Sequence, residues 1–316
     1  MDRGAGYQEV EGLAVDEVGV PVAATSARTA SAWIGGVVSA AAYGFTPTIA
    51  AIGYAGGVSP TVLVFLRSVI GGVLLVTMAV ATGRWRVPIR DAAILTLVCG
   101  PLFATQLLCF FAAIRLTGAQ LAIVVAHVSP VFVLVISVVI LRRPARPVAW
   151  VICGVMIAGI AFVAGESGGH IAVPGLLLAV ACALGYAAYY VIGEPCLRRV
   201  SVVAATGLTS LGAALAAGFV LLFLTPASWS FTASGWLSIV AQGVLILPLG
   251  IGGGYLAVRV LGPVPGSLLG LLEAVVGVLA ASIFLGESLT WSQWAGVGVL
   301  LAASAALPWA RVGHQT

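Results

Sequence analysis

The segment Gly266–Ala281, GSLLGLLEAVVGVLAA, holds one ionisable side chain, Glu273, among aliphatic and small residues. A carboxylate there can carry a proton or contact a polar solute; it can equally be a fixed hydrogen-bond acceptor or the partner of Arg67. His127 (AIVVAHVSPVFV) and Arg67 (PTVLVFLRSVIGG) stand in similarly apolar runs. Imidazole titrates near neutral pH. The guanidinium keeps its charge and fits a carboxylate with a planar fork, or snorkels toward headgroups on its long stem. Gln106, Gln242 and Ser129 are neutral polar candidates, and Tyr43, Tyr186, Tyr189 and Tyr190 offer amphipathic ring faces for packing or for an apolar or cationic group. A His127–Glu273 proton relay is one chemistry this set permits. A backbone-bonded histidine is the alternative.

Other chemistries find no constellation. Glu166, Glu194 and Glu287 are isolated, so no enzyme activity is expected. The five cysteines, Cys99, Cys109, Cys153, Cys182 and Cys196, have no metal-ligand spacing and read as reduced packing residues, and no cofactor or metal is expected. The GIGGGY run at Gly250–Tyr255 lies inside an apolar stretch and is no phosphate loop; with no nucleotide-binding motif elsewhere, the chain itself is no ATP-driven pump.

The elements that must position these groups are membrane spans. Of 316 residues, 61% are hydrophobic and 8% charged, against about 25% charged in soluble domains. Charges and Pro/Gly clusters divide the chain into ten helices, near 31–54, 59–81, 91–114, 118–141, 147–165, 173–193, 202–224, 235–258, 264–285 and 290–309. All eight tryptophans fall at their ends or in loops, where an indole suits the headgroup level. Residues 1–30, with acids at 2, 9, 11, 16 and 17, lack the basic start of a signal peptide and read as a disordered acidic cytoplasmic tail, and 310–316 as a second tail. All 14 basic residues are arginine, a bias that suggests a GC-rich bacterial genome and hence the bacterial inner membrane. Most of the arginines lie in short loops between the spans, so the basic pI does not point to nucleic acid. The bilayer, a small solute and protons are the expected partners, for a monomer or weak dimer.

A shift of 144 residues lays AAIRLTGAQLA over LAVRVLGPVPG, Trp150 on Trp294 and Gly154 on Gly298. Two five-helix copies follow, 31–165 and 173–309. Five is odd, so the second copy must cross in the opposite sense. Charge agrees: LRRPARPVAW corresponds to LGESLTWSQW, so Arg142, Arg143 and Arg146 become Gly286, Glu287 and Thr290. Both termini are placed in the cytoplasm, with Arg115 the arginine of the external loops. Inverted repeats put a solute site near the bilayer midplane. Glu273, nine residues into its span, sits roughly 14 Å deep at 1.5 Å per residue. It shares a face with Gly266, Gly270 and Gly277, and small residues let helices approach closely. Its counterpart is Ser129; that of His127 is Leu271. Pro130 and Pro248, with Pro47 and Pro101, mark places where helices can bend.

TGAQLAIVVAHVSPVFVLVISVVIL and GSLLGLLEAVVGVLAASIFLGESLTWSQWAGVGVLLAASAAL resemble the two signature segments of ten-helix EamA-type drug/metabolite transporters, and SPTVLVFLRSVIGGVLLV resembles their second helix. The resemblance implies a secondary transporter exporting a small metabolite, such as an amino acid, by alternating access. A lipid flippase or a uniport facilitator of the same fold is the alternative. The sequence departs from the family pattern at LRRPARP, where LGE-x-L is usual, and at Glu273-Ala274, where Glu-Pro is usual.

Overall fold

The structure, a computed structural model, describes residues 22–311 except 140, 141, 143–145, 166–171, 198, 226, 227, 262 and 288; several helical side chains, including Tyr190, Glu194 and those of 261–271, also lie outside the described set. Most of the acidic tail, the last five residues, Arg143, Glu166 and Arg198 therefore fall outside it.

A chain this apolar satisfies its backbone within helices, and the described residues contain helices without a strand. Helix α1 (Val22–Gly44) starts ahead of the expected Ser31 and breaks at Phe45; α2 (Thr46–Ala55) follows with Pro47 in its first turn. Pro47 cannot donate to the carbonyl four residues back, which is that of Tyr43. The next helix, α3 (Pro60–Ala81), is capped by Ser59, which accepts from the Val62 N–H. The third expected span comprises α4 (Ile89–Ala93), a π-helical stretch Ile94–Cys99 and α5 (Gly100–Thr117). The fourth is divided into α6 (Ala119–Ala126) and α7 (Ser129–Val139) by a turn at His127 and Val128, ahead of Pro130.

There follow α8 (Pro147–Gly165), α9 (Val173–Leu197) and α10 (Val202–Phe223), the last capped by Ser201 as α3 is by Ser59. Then α11 (Ala233–Val240), a second π-helical stretch Ala241–Ile246 and α12 (Leu247–Leu261) repeat the sequence of elements in the third span. The chain closes with α13 (Pro263–Leu285) and α14 (Trp291–Arg311). Among the described residues, seven helices are long and apolar enough to cross a membrane, and three shorter apolar helices lie at 147–159, 272–285 and 294–303.

Helices from the two halves interlock. α3 packs on α10, α8 on α14, α1 on α12 and α5 on α9. The α3–α10 pair runs antiparallel, with Gly72 against Leu211 and Gly218 against Phe65. Close approaches also recur: Gly212 lies on Thr96 and Gly100, and Gly71 lies on Gly243 and Leu247. The connecting segments gather at two ends. One end joins Gly56 to Thr232 and Ala119 to Glu287; the other joins Arg84 to Ser201 and Asp91 to Arg199. The core between them is built from residues such as Val62, Leu63, Phe111, Ile123, Met156 and Ile239.

Candidate functional site

The break between α1 and α2 lies against α12 and α13, and four of the ten expected polar residues, Tyr43, Arg67, Gln242 and Glu273, come together beside it. Arg67 on α3 is 2% exposed, so its side chain does not snorkel to the surface. Its Nη1 donates to Oε1 of Gln242 at 2.6 Å, and its Cζ stands 5.4 Å from the centre of the Phe111 ring. The Nε has no partner. Gln242 is wholly buried in the second π-helical stretch, and its amide donates at 3.5 Å to the carbonyl of Thr46, at the start of α2. Phe111 is held by Tyr54, whose hydroxyl donates to the Phe111 carbonyl at 2.9 Å.

Tyr43, at the end of α1, lies over Gly250 of α12, where a Cβ would stand 2.5 Å from the ring. Gly44 beside it meets α13 at the carbonyl of Glu273 and the side chain of Val276. Tyr43 is within electrostatic reach of both Glu273 and Arg67, and Glu273 is within reach of His127. Glu273 is half-buried. Gly277, one turn on, is buried against Ile123 of α6 and the backbone of Gly44. Gly266 and Gly270 belong to the part of α13 whose side-chain surroundings are outside the described set.

His127 occupies the turn between α6 and α7, half-buried, with Nδ1 2.8 Å from the carbonyl of Ile123. An ideal wheel for residues 118–141 therefore fails at this point. Ser129 is the first residue of α7, half-buried, and Pro130 the second. Pro248 takes the same second place in α12, directly after the π-helical stretch that carries Gln242.

The remaining candidates form a neighbouring group on α5 and α9. Gln106, 6% exposed, accepts from the Cys182 thiol at 3.3 Å, and Gly185 lies against its side chain. Cys182 is in turn within electrostatic reach of Glu273. The Tyr189 ring meets Phe103 at a tilt, 5.3 Å between centres, and Tyr186 edge-to-face at 5.6 Å; Tyr186 is 40% exposed. Tyr190 is outside the described side chains.

Three polar residues escaped the sequence argument. Asp91, 2% exposed, accepts from Arg199 Nη2 at 3.1 Å and from the Cys196 thiol at 3.7 Å. Glu287 and Gln120 join α6 to the end of α13. The signal for Gln120 and Asp91 was present, a polar residue within an expected span. Glu287 read as a loop residue because its partners are more than 160 positions away.

The EamA-like transporter family matches residues 30–165 and, a second time, 173–307. The chain belongs to the EamA-like transporter family. A solved crystal structure with 24% identity covers 88% of this transporter and 96% of its own chain, superposing with a TM-score of 0.63, and carries the same fold. No curated protein matches. Membership makes the protein a multi-pass membrane transporter of the drug/metabolite superfamily, and the family is one of transporters rather than enzymes. In this transporter the polar cluster lies between helices of the two matched halves: α1, α2 and α3 from the first, α12, α13 and the second π-helical stretch from the second.

Proposed function

We propose that this EamA-like protein is a secondary transporter that exports a small metabolite, an amino acid or related compound, by alternating access. Its ten spans form two inverted five-helix repeats, with both termini in the cytoplasm of a bacterial inner membrane. Inversion is supported by the antiparallel α3–α10 pair, since these helices hold equivalent places in the two family matches. The arginines support the orientation: Arg84, Arg86, Arg90 and Arg199 gather at the end where Asp91 meets Arg199.

The observation that carries the solute site is the meeting of Tyr43, Arg67, Gln242 and Glu273 where α1 gives way to α2. Irregular backbone inside a membrane protein is tolerated where it is buried in protein or lines a cavity, and transporter sites use such broken helices. Arg67 Nε and the Thr46 hydroxyl, buried there without partners, are supplied by solute or water. Glu273, with Tyr43 and His127 in reach, is the group that contacts solute or carries the coupling proton. Gln106, Ser129, Tyr186 and Tyr189 border the path on the third, fourth and sixth spans. Pro130, Pro248, Gly266, Gly270 and Gly277 let the helices bend and slide.

Counterflow in sealed vesicles tests this. A saturable, stereospecific exchange of a water-soluble solute is expected, and Glu273→Gln abolishes its response to an imposed proton gradient. Proton-driven uptake unchanged in Glu273→Gln removes the coupling role; headgroup movement without solute flux indicates a flippase instead.

A further inference from the structure

Contacts between the first, third, sixth and eighth spans are made at both ends of the bundle, so they do not set one end apart from the other. Thr232 donates to the Gly56 carbonyl at one end; Arg199 pairs with Asp91 and Ser201 donates to the Arg84 carbonyl at the other. The fourth spans behave differently. Glu287, just past α13, caps α6: Oε1 accepts from the Ala119 N–H and Oε2 from the Gln120 N–H, each at 2.9 Å. Gln120 returns the contact through Nε2, which donates to the carbonyls of Glu287 at 3.2 Å and Val278 at 3.1 Å.

Helix-start N–H groups lack intrahelical acceptors, and a carboxylate there forms charge-assisted bonds at the positive end of the dipole. Gly118, with φ +84°, leaves the room: a Cβ there would stand 3.0–3.2 Å from the Glu287 carboxyl group.

The equivalent site at the other end cannot be assembled. The 144-residue shift takes Glu287 to Arg143, Ala119 to Pro263 and Gln120 to Val264. The register is supported by the backbone, because Arg142 and Gly286 share a left-handed conformation, at φ +52° and +69°. The Arg143 side chain is a donor without an acceptor atom, Pro263 has no N–H, and Val264 has no side-chain amide to return the bond.

The geometry points to a one-sided latch: Glu287 on the start of α6 holds the solute-free carrier shut at that end and rests it open at the other. With the proposed orientation the shut end is external and the resting carrier faces the cytoplasm, as export requires. The inference rests on the alternating-access reading, in which the fourth spans part at one end and then the other. Solute bound near Glu273 then supplies the free energy that parts them externally.

The test uses the full chain in sealed vesicles, with the five native cysteines replaced and Tyr43→Cys as reporter for a membrane-impermeant maleimide. Glu287→Gln keeps the shape and removes the charge; it is expected to raise labelling from the external side about tenfold, equal to about 1.4 kcal/mol of latch energy. The converse variant, Arg143→Glu with Pro263→Ala, builds the missing latch and lowers labelling from the cytoplasmic side. Unchanged external labelling in Glu287→Gln overturns the latch. If that variant does not reach the membrane, unchanged cytoplasmic labelling in the converse variant overturns it instead. Arg143→Cys and Glu287→Cys, labelled separately, must react from opposite faces. Reaction from one face would bring down the orientation on which the latch stands.

Discussion

Arg67 carries a guanidinium, the most basic of the side chains, yet it is buried and its hydrogen bond is to a neutral amide. Isolated charge in a bilayer interior costs several kcal/mol, so such residues face the protein and are commonly functional. The aromatic face of Phe111 and the Gln242 amide supply what solvation the described contacts offer. The consequence separates stability from transport. Arg67→Met leaves the Gln242 oxygen buried without its donor, at about 1–3 kcal/mol. Replacing both residues by apolar ones of similar volume is often neutral or stabilising. Arg67→Met should therefore lower the melting temperature in detergent, and Arg67→Met with Gln242→Leu should recover it. Transport should be lost in both. A double variant that melts normally and still transports would make the pair a packing device.

The elements owe their shapes to a few local features. Pro101 and Pro248 each follow a π-helical stretch, where the wide turn accommodates a carbonyl the proline cannot serve. The prolines were legible as bends, but the form of each bend depends on what packs outside it. In the second stretch the extra width accompanies the Gln242–Arg67 bond, which joins residues 175 positions apart. The break at His127 was legible only as a kink at Pro130.

Glycine contacts give a direct check on how closely these elements approach. A Cβ on Gly212 would meet the Thr96 backbone carbonyl, which cannot rotate away, whereas one on Gly154 would meet nothing within 4 Å. Gly212→Ala should lose about 1–3 kcal/mol to overpacking and melt several degrees lower. Gly154→Ala should be neutral or slightly stabilising, since alanine is the better helix former by up to about 1 kcal/mol. Equal melting temperatures for the two would mean that α10 does not approach the third span as described.

At the scale of the whole molecule, the repeat was the most legible feature, because the register of AAIRLTGAQLA on LAVRVLGPVPG survives in sequence and spans were long enough to count. What the repeat could not reveal was which equivalent contacts are kept and which are lost, since that depends on pairs such as Ala119–Glu287 across the two halves. Glu273, Arg67 and Tyr43 were each legible as polar or amphipathic residues within apolar runs; the contacts that bring them near one another, such as Arg67 on Gln242, were not. Inversion itself makes a sharp demand on equivalent positions. Arg86 follows α3, and Ser228, 142 residues on, follows α10, with both side chains exposed. Helices α3 and α10 are antiparallel, so the segments that leave them must emerge at opposite ends. Arg86→Cys and Ser228→Cys, each in a cysteine-free chain, should react with an impermeant reagent from opposite faces of the membrane, Arg86→Cys from the face that holds the arginines. Reaction of both from one face would make the halves parallel repeats, and the solute would then have no common site to which each half gives access in turn.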